Sequence, residues 1–137
     1  MYSMKEVCQK MDFSYEALKF YCNEGLIPNV KRDKRNYRVF DDNDINWLKS
    51  LMRLKDCGMS IKYMKAYVVV CLKGEDAIPQ RIDSLDHQKK ILIDKIVELN
   101  QSITYLEARQ KHYRDVIHGK AEFHCDLIQN NKKDYPK

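Results

Sequence analysis

Five basic residues crowd into a short stretch: Lys31, Arg32, Lys34, Arg35 and Arg38, with Asp33 the single acid among them. Cations at this density, with Tyr37 between them, suit contact with a polyanion, and phosphate is the natural partner. The charge split says the same. Residues 1–74 hold 14 Lys and Arg against 9 Asp and Glu, whereas residues 75–137 hold 11 against 11. All of the net charge of +5 therefore sits in the first part. Other reactive residue types are scattered. Cys8, Cys22, Cys57, Cys71 and Cys125 are widely spaced with no C-x-x-C, which does not read as a disulfide framework. Soft metal ligands collect late in the chain as His112, His118, His124 and Cys125. No phosphate-cradling glycine loop, nucleophile motif or HExxH spacing is present, so the residues point away from an enzyme and call for no cofactor.

The elements that must position these residues are mostly helices, since the chain has only 4 Gly and 3 Pro. Ser3 to Glu6 forms a capping box that starts a short helix with Val7 and Met11 inward. Ser14 caps a second helix with Leu18 and Tyr21 inside, which Gly25 stops. Two short helices at this spacing make a helix-turn-helix whose second helix reads DNA. Its outer side carries Tyr15, Glu16, Lys19 and Phe20 as groove and backbone contacts. Asn29 to Phe40 is expected as a β-hairpin, or wing, in which Lys31, Arg32, Tyr37 and Arg38 meet phosphate. Lys34 and Arg35 read equally well as a solvated tip, and Tyr37 as packing within the wing. The acids of Asp41 to Asp44 precede a third helix expected over 45–57, with Ile45, Trp47, Leu48, Leu51 and Met52 inward. Ser60 caps a fourth, Ile61 to about Leu72. Asp76 is expected to cap the long helix that follows, with Pro79 tolerated in its first turn.

That long helix carries an apolar seam. One column reads Ile82, Lys89, Ile96, Ile103, Gln110 and Ile117; the other reads Leu85, Leu92, Leu99, Leu106 and Tyr113. The alternation of three and four residues is an a/d pattern, and a helix of this length spans roughly 54 Å. The rest of the chain offers no second stripe of matching length. The simplest partner is a second copy, through Leu85, Leu92, Ile96, Leu99, Ile103, Leu106 and Tyr113. Three regions are thus expected: a head over 1–74, a coil over 75–118, and a tail over 119–137 with 130–137 disordered. No apolar run reaches membrane-spanning length and no signal peptide opens the chain, so a cytoplasmic location is the default.

In this order the elements resemble the MerR-type transcriptional regulators over roughly residues 2–118. The resemblance rests on Ala17 to Tyr21, Glu24 to Pro28, Asn36 to Asp41 and Leu54 to Ser60. It implies a mainly α fold: a winged helix-turn-helix head, a helix pair, a small β wing and an antiparallel coiled-coil dimer. It also implies activation by distorting double-stranded promoter DNA, with RNA polymerase engaged indirectly. The chain departs from the family pattern at four positions. Lys19 stands where Arg is usual, Phe20 where Tyr is common, Cys22 for an acid, and Asn36 for a wing glycine. Lys meets phosphate as a point charge rather than a bidentate fork, and Asn tolerates a left-handed turn.

For an inducer, two small-effector readings arise. Metal-sensing relatives place a ligand loop near His118, His124 and Cys125, but they pair cysteines there and often add one near the start of the long helix, where this chain has Gly74 to Ala77. The incidental reading of these ligands is preferred. Thiol-responsive relatives place a cysteine where this chain has Arg53, one turn before Cys57. Cys57 is read as a small, partly buried side chain and Cys71 as core. The alternative function from another class is a coiled-coil scaffold or adaptor that binds no DNA.

Overall fold

The computed structural model describes residues 1–128. The chain runs β1 (Tyr2–Ser3), α1 (Met4–Met11), α2 (Tyr15–Asn23), β2 (Lys31–Arg32), β3 (Arg38–Phe40), α3 (Asp42–Asp56) and α4 (Ile61–Leu72), then a 3-10 turn (Glu75–Ala77) and α5 (Ile78–Ile117). Compactness divides it into two units, 1–92 and 93–137. The expected disorder of 130–137 lies outside the described residues.

Local chemistry sets most boundaries. The Ser3 hydroxyl accepts from the Glu6 amide while the Glu6 carboxylate accepts from the Ser3 amide, so the box at the start of α1 is reciprocal. α1 ends at Asp12, which takes a left-handed conformation with φ 50°. Ser14 caps α2 through the Ala17 amide, and Ser60 caps α4 through the Tyr63 amide. The start of α3 differs from expectation. The helix begins at Asp42 because Asp41 is its N-cap, and Asp44 returns the bond to the Asp41 amide at 2.9 Å. Any acid of that run could cap on its own, but only Asp41 finds a second acid three residues on. Asp76 likewise does not cap the long helix. It lies within the 3-10 turn, and α5 starts at Ile78 with Pro79 in its first turn.

The wing forms as a hairpin of β2 and β3, but the sheet has a third strand that the sequence did not suggest. β1 pairs antiparallel with β3 in the order β1-β3-β2, placing Tyr2 opposite Phe40 and Lys31 opposite Val39. This ties the chain start to the wing. Asn36 at its tip is left-handed, φ 66°.

One core holds the head. Val7, Leu18, Tyr21, Leu26, Phe40, Ile45, Leu48, Leu51, Met64 and Val68 are all buried in it. The half-buried Trp47 packs against it and donates from Nε1 to the Leu26 carbonyl at 2.7 Å, closing α3 onto the exit of α2. Gln88 in α5 is only 5% exposed and donates to the Cys57 carbonyl at 2.8 Å, satisfying a helix-end acceptor of α3. Two cysteine expectations change. Cys57 is exposed at the C-cap of α3; Cys71 is half-buried, on a helix whose Val69 and Leu72 are exposed. At the join of α4 and α5, Gly74 adopts φ 83° and ψ −155°.

Candidate nucleic-acid interface

The wing is assembled around its one acid. Asp33 Oδ1 accepts from the amides of Arg35 and Tyr37 at 2.9 and 3.0 Å, and the Asp33 carbonyl accepts from Asn36. Asp33 is thus a turn-former, and among the described residues it pairs with none of Arg32, Lys34, Arg35 and Arg38. Arg32 Nη1 donates to the Asn36 carbonyl at 2.8 Å, which straps the hairpin. Arg38 Nη2 donates to Asn23 Oδ1 at 2.6 Å and so joins the wing to the end of α2. Lys34 and Arg35 are exposed at the tip and form no ion pair among the described residues.

The structure brings part of the expected set together. Tyr15, Arg32, Tyr37 and Arg38 line one open cleft of about 400 Å³ between α2, the wing and the start of α1. Ser3 and Lys5 line it too. Sequence reading missed both, because only the pairing of β1 with β3 carries them beside the wing. Tyr15, Phe20 and Tyr37 are exposed aromatics, and Glu16 and Lys19 stand exposed on α2. Lys31 does not line the cleft. Its ammonium pairs with Asp41 at 2.8 Å and lies 4.0 Å from Asp44. The Lys31 bond holds the Asp41 carboxyl down to about 2, with the Asp44 amide adding to the effect. Asp44 moves the other way, pushed up chiefly by burial. Lys31 therefore fastens the wing to α3 within the head. Cys22 is half-buried behind this surface, where burial pushes its thiol up and the nearby Arg38 and Arg32 pull against that.

Along α5 the seam residues are exposed in the single chain: Leu85, Ile96, Leu99, Ile103, Leu106 and Tyr113 each show 43% or more of their surface, and Leu92 is half-buried. Arg109 donates to the Tyr113 hydroxyl at 2.7 Å and lies over its ring. Past the helix, His118 is exposed, Cys125 is half-buried, and His124 is bonded to Asp126 at 2.7 Å. Among the described residues no three His, Cys, Asp or Glu side chains are grouped to hold a metal. No described helix is long and apolar enough to cross a membrane.

A basic winged helix-turn-helix followed by a long apolar-striped helix defines a class, the DNA-binding regulators. Residues 2–68 match the model of the MerR HTH family regulatory proteins. The chain is 35% identical over 113 residues to an HTH-type transcriptional regulator of Haemophilus influenzae, covering 82% of this chain and 84% of that one. It is similar to the crystal structure of HiNmlR, described as a MerR family regulator lacking the sensor domain, bound to promoter DNA. The TM-score is 0.67 at 34% identity, over 85% of this chain and 93% of that one. A MerR family regulator from Listeria monocytogenes shares the fold at TM-score 0.72 and 23% identity, over 87% and 90% of the two chains. The chain belongs to the MerR family: it is a DNA-binding transcriptional regulator and not an enzyme. That membership sets aside the scaffold reading.

Proposed function

We propose that the protein acts as a homodimer on a pseudo-palindromic operator within a promoter, in the cytoplasm, and controls RNA polymerase by distorting the DNA between the two half-sites. The observation that carries this reading is the exposed apolar seam of α5 following a basic head. A stripe of this length needs a partner, and an identical helix supplies the same pattern. An antiparallel pair would act as the spacer between two heads, so that Tyr15, Glu16, Lys19 and Phe20 of each enter a groove while Arg32, Tyr37 and Arg38 hold the backbone. Lys31 contributes charge to this surface while it remains tied to Asp41.

Where a promoter spacer is too long, its two elements lie on mismatched faces of the duplex. Bending and untwisting the centre realigns them. The distortion costs on the order of 1–10 kcal/mol, which phosphate contacts from two heads can offset. An inducer then needs only to shift the head against the coil through Gly58 or Gly74, and the protein stays bound in both states. The HiNmlR structure, with promoter DNA bound to a similar chain, supports this reading. Footprinting with and without inducer tests it. Unchanged occupancy with new reactivity at the operator centre is expected; loss of the footprint on induction would show a repressor that simply dissociates.

A further inference from the structure

Within the first unit, where the head meets the first turns of α5, lies a cavity of about 290 Å³. Trp47, Val68 and Leu72 give it an apolar wall, and Asn29, Asp44 and Arg81 give it polar edges. Arg81 is the unusual member. Its Nη2 donates to the Cys71 carbonyl at 2.8 Å, but its Nε is closed off from solvent and has no hydrogen-bond partner among the described residues. No carboxylate among them pairs with its guanidinium. An arginine remains charged inside a protein, so a partly buried guanidinium with an unmet donor and no counter-ion is costly unless an anion joins it. Asp44, on the same cavity, does not fill that role. Its carboxylate accepts from the Asp41 amide at 2.9 Å and faces Lys31.

We propose that this cavity is a binding site for a small monocarboxylate with an apolar body, its carboxylate held by Arg81 and its body against Trp47, Val68 and Leu72. The volume lies at the small end for ligand pockets, roughly 300–1,000 Å³, which suits a single ring or a short branched chain. An occupant touches the head, α4 and α5 at once. The site stands independently of DNA binding, because occupancy is read on the free protein.

Trp47 is the only tryptophan in the sequence and lines the cavity, so its emission reports occupancy directly. The full chain is titrated with benzoate, its neutral analogue benzamide, the cation benzylamine, and inorganic phosphate. Benzoate is expected to give a saturable shift, with benzamide and benzylamine weaker by about tenfold or more and phosphate silent. Arg81→Gln, shown to be folded by circular dichroism, is expected to lose the preference for benzoate over benzamide. If that variant does not fold, the comparison on the native chain decides alone. Equal binding of benzoate and benzamide, saturation by phosphate instead, no saturable response to benzoate, or an undiminished preference in Arg81→Gln each overturns the proposal.

Discussion

Arg38 and Lys31 look alike in the sequence, two cations in one basic run, but the structure gives them different tasks. Arg38 lines the open cleft and braces Asn23, whereas Lys31 is bonded to Asp41. Arg38→Ala should weaken binding to all duplex sequences about equally and reduce the slope of log affinity against log salt by about one. A changed base preference instead would make Arg38 a reader of bases. The Lys31–Asp41 pair shows itself through pH. The folded carboxyl of Asp41 sits at about 2, below its ordinary 3.8. A depressed acid stabilises the fold above its unfolded pKa, and the contribution is lost as pH falls through the folded one. Asp44 is raised, chiefly by burial, so it costs stability at neutral pH and that cost is relieved as pH falls through its folded value. Asp41→Asn should therefore melt below the native chain at neutral pH, with the gap closing between about pH 4 and pH 2. Melting curves across that range check it; a gap constant with pH would mean that the cap geometry matters and the charge does not.

Among the elements, helices with side-chain stops were the most legible. Ser3, Ser14 and Ser60 each placed a helix start, since an N-cap bond is local and needs no knowledge of the fold. β1 was not legible. Two residues cannot show alternation, and Tyr2–Ser3 is a strand only because β3 lies beside it. The same blindness to long-range partners hid the Lys31–Asp41 bond and the place of Ser3 and Lys5 beside the wing. Cys57 was misjudged because its exposure depends on where α3 ends rather than on the apolar residues around it. The long helix α5 and its apolar stripe were legible because their period is written in the sequence. Its consequence belongs to the element as well: Leu99→Lys puts a charge in the middle of the stripe and should shift the protein to monomers with weakened DNA binding. Sedimentation showing an intact dimer for that variant would count against the seam as the interface.

For the molecule as a whole, the join between α4 and α5 matters most, because the proposed motion and the cavity beside Arg81 both depend on it. Gly74 sits there at φ 83° and ψ −155°, a backbone region that is essentially closed to residues bearing a side chain. An added Cβ would meet no atom within 4 Å. The restriction is therefore one of handedness and not of room. Reflected, the same angles are those of ordinary extended chain, so the join is built as a mirror image of a strand residue. Gly74→Ala should cost about 1–3 kcal/mol while leaving the head core intact. D-alanine introduced there by chemical ligation finds the conformation natural, and by restricting the unfolded chain it should stabilise by about 0.4–1 kcal/mol. Melting temperatures that move in opposite directions for the two enantiomers would show that one achiral atom lets the helix pair turn into the long helix.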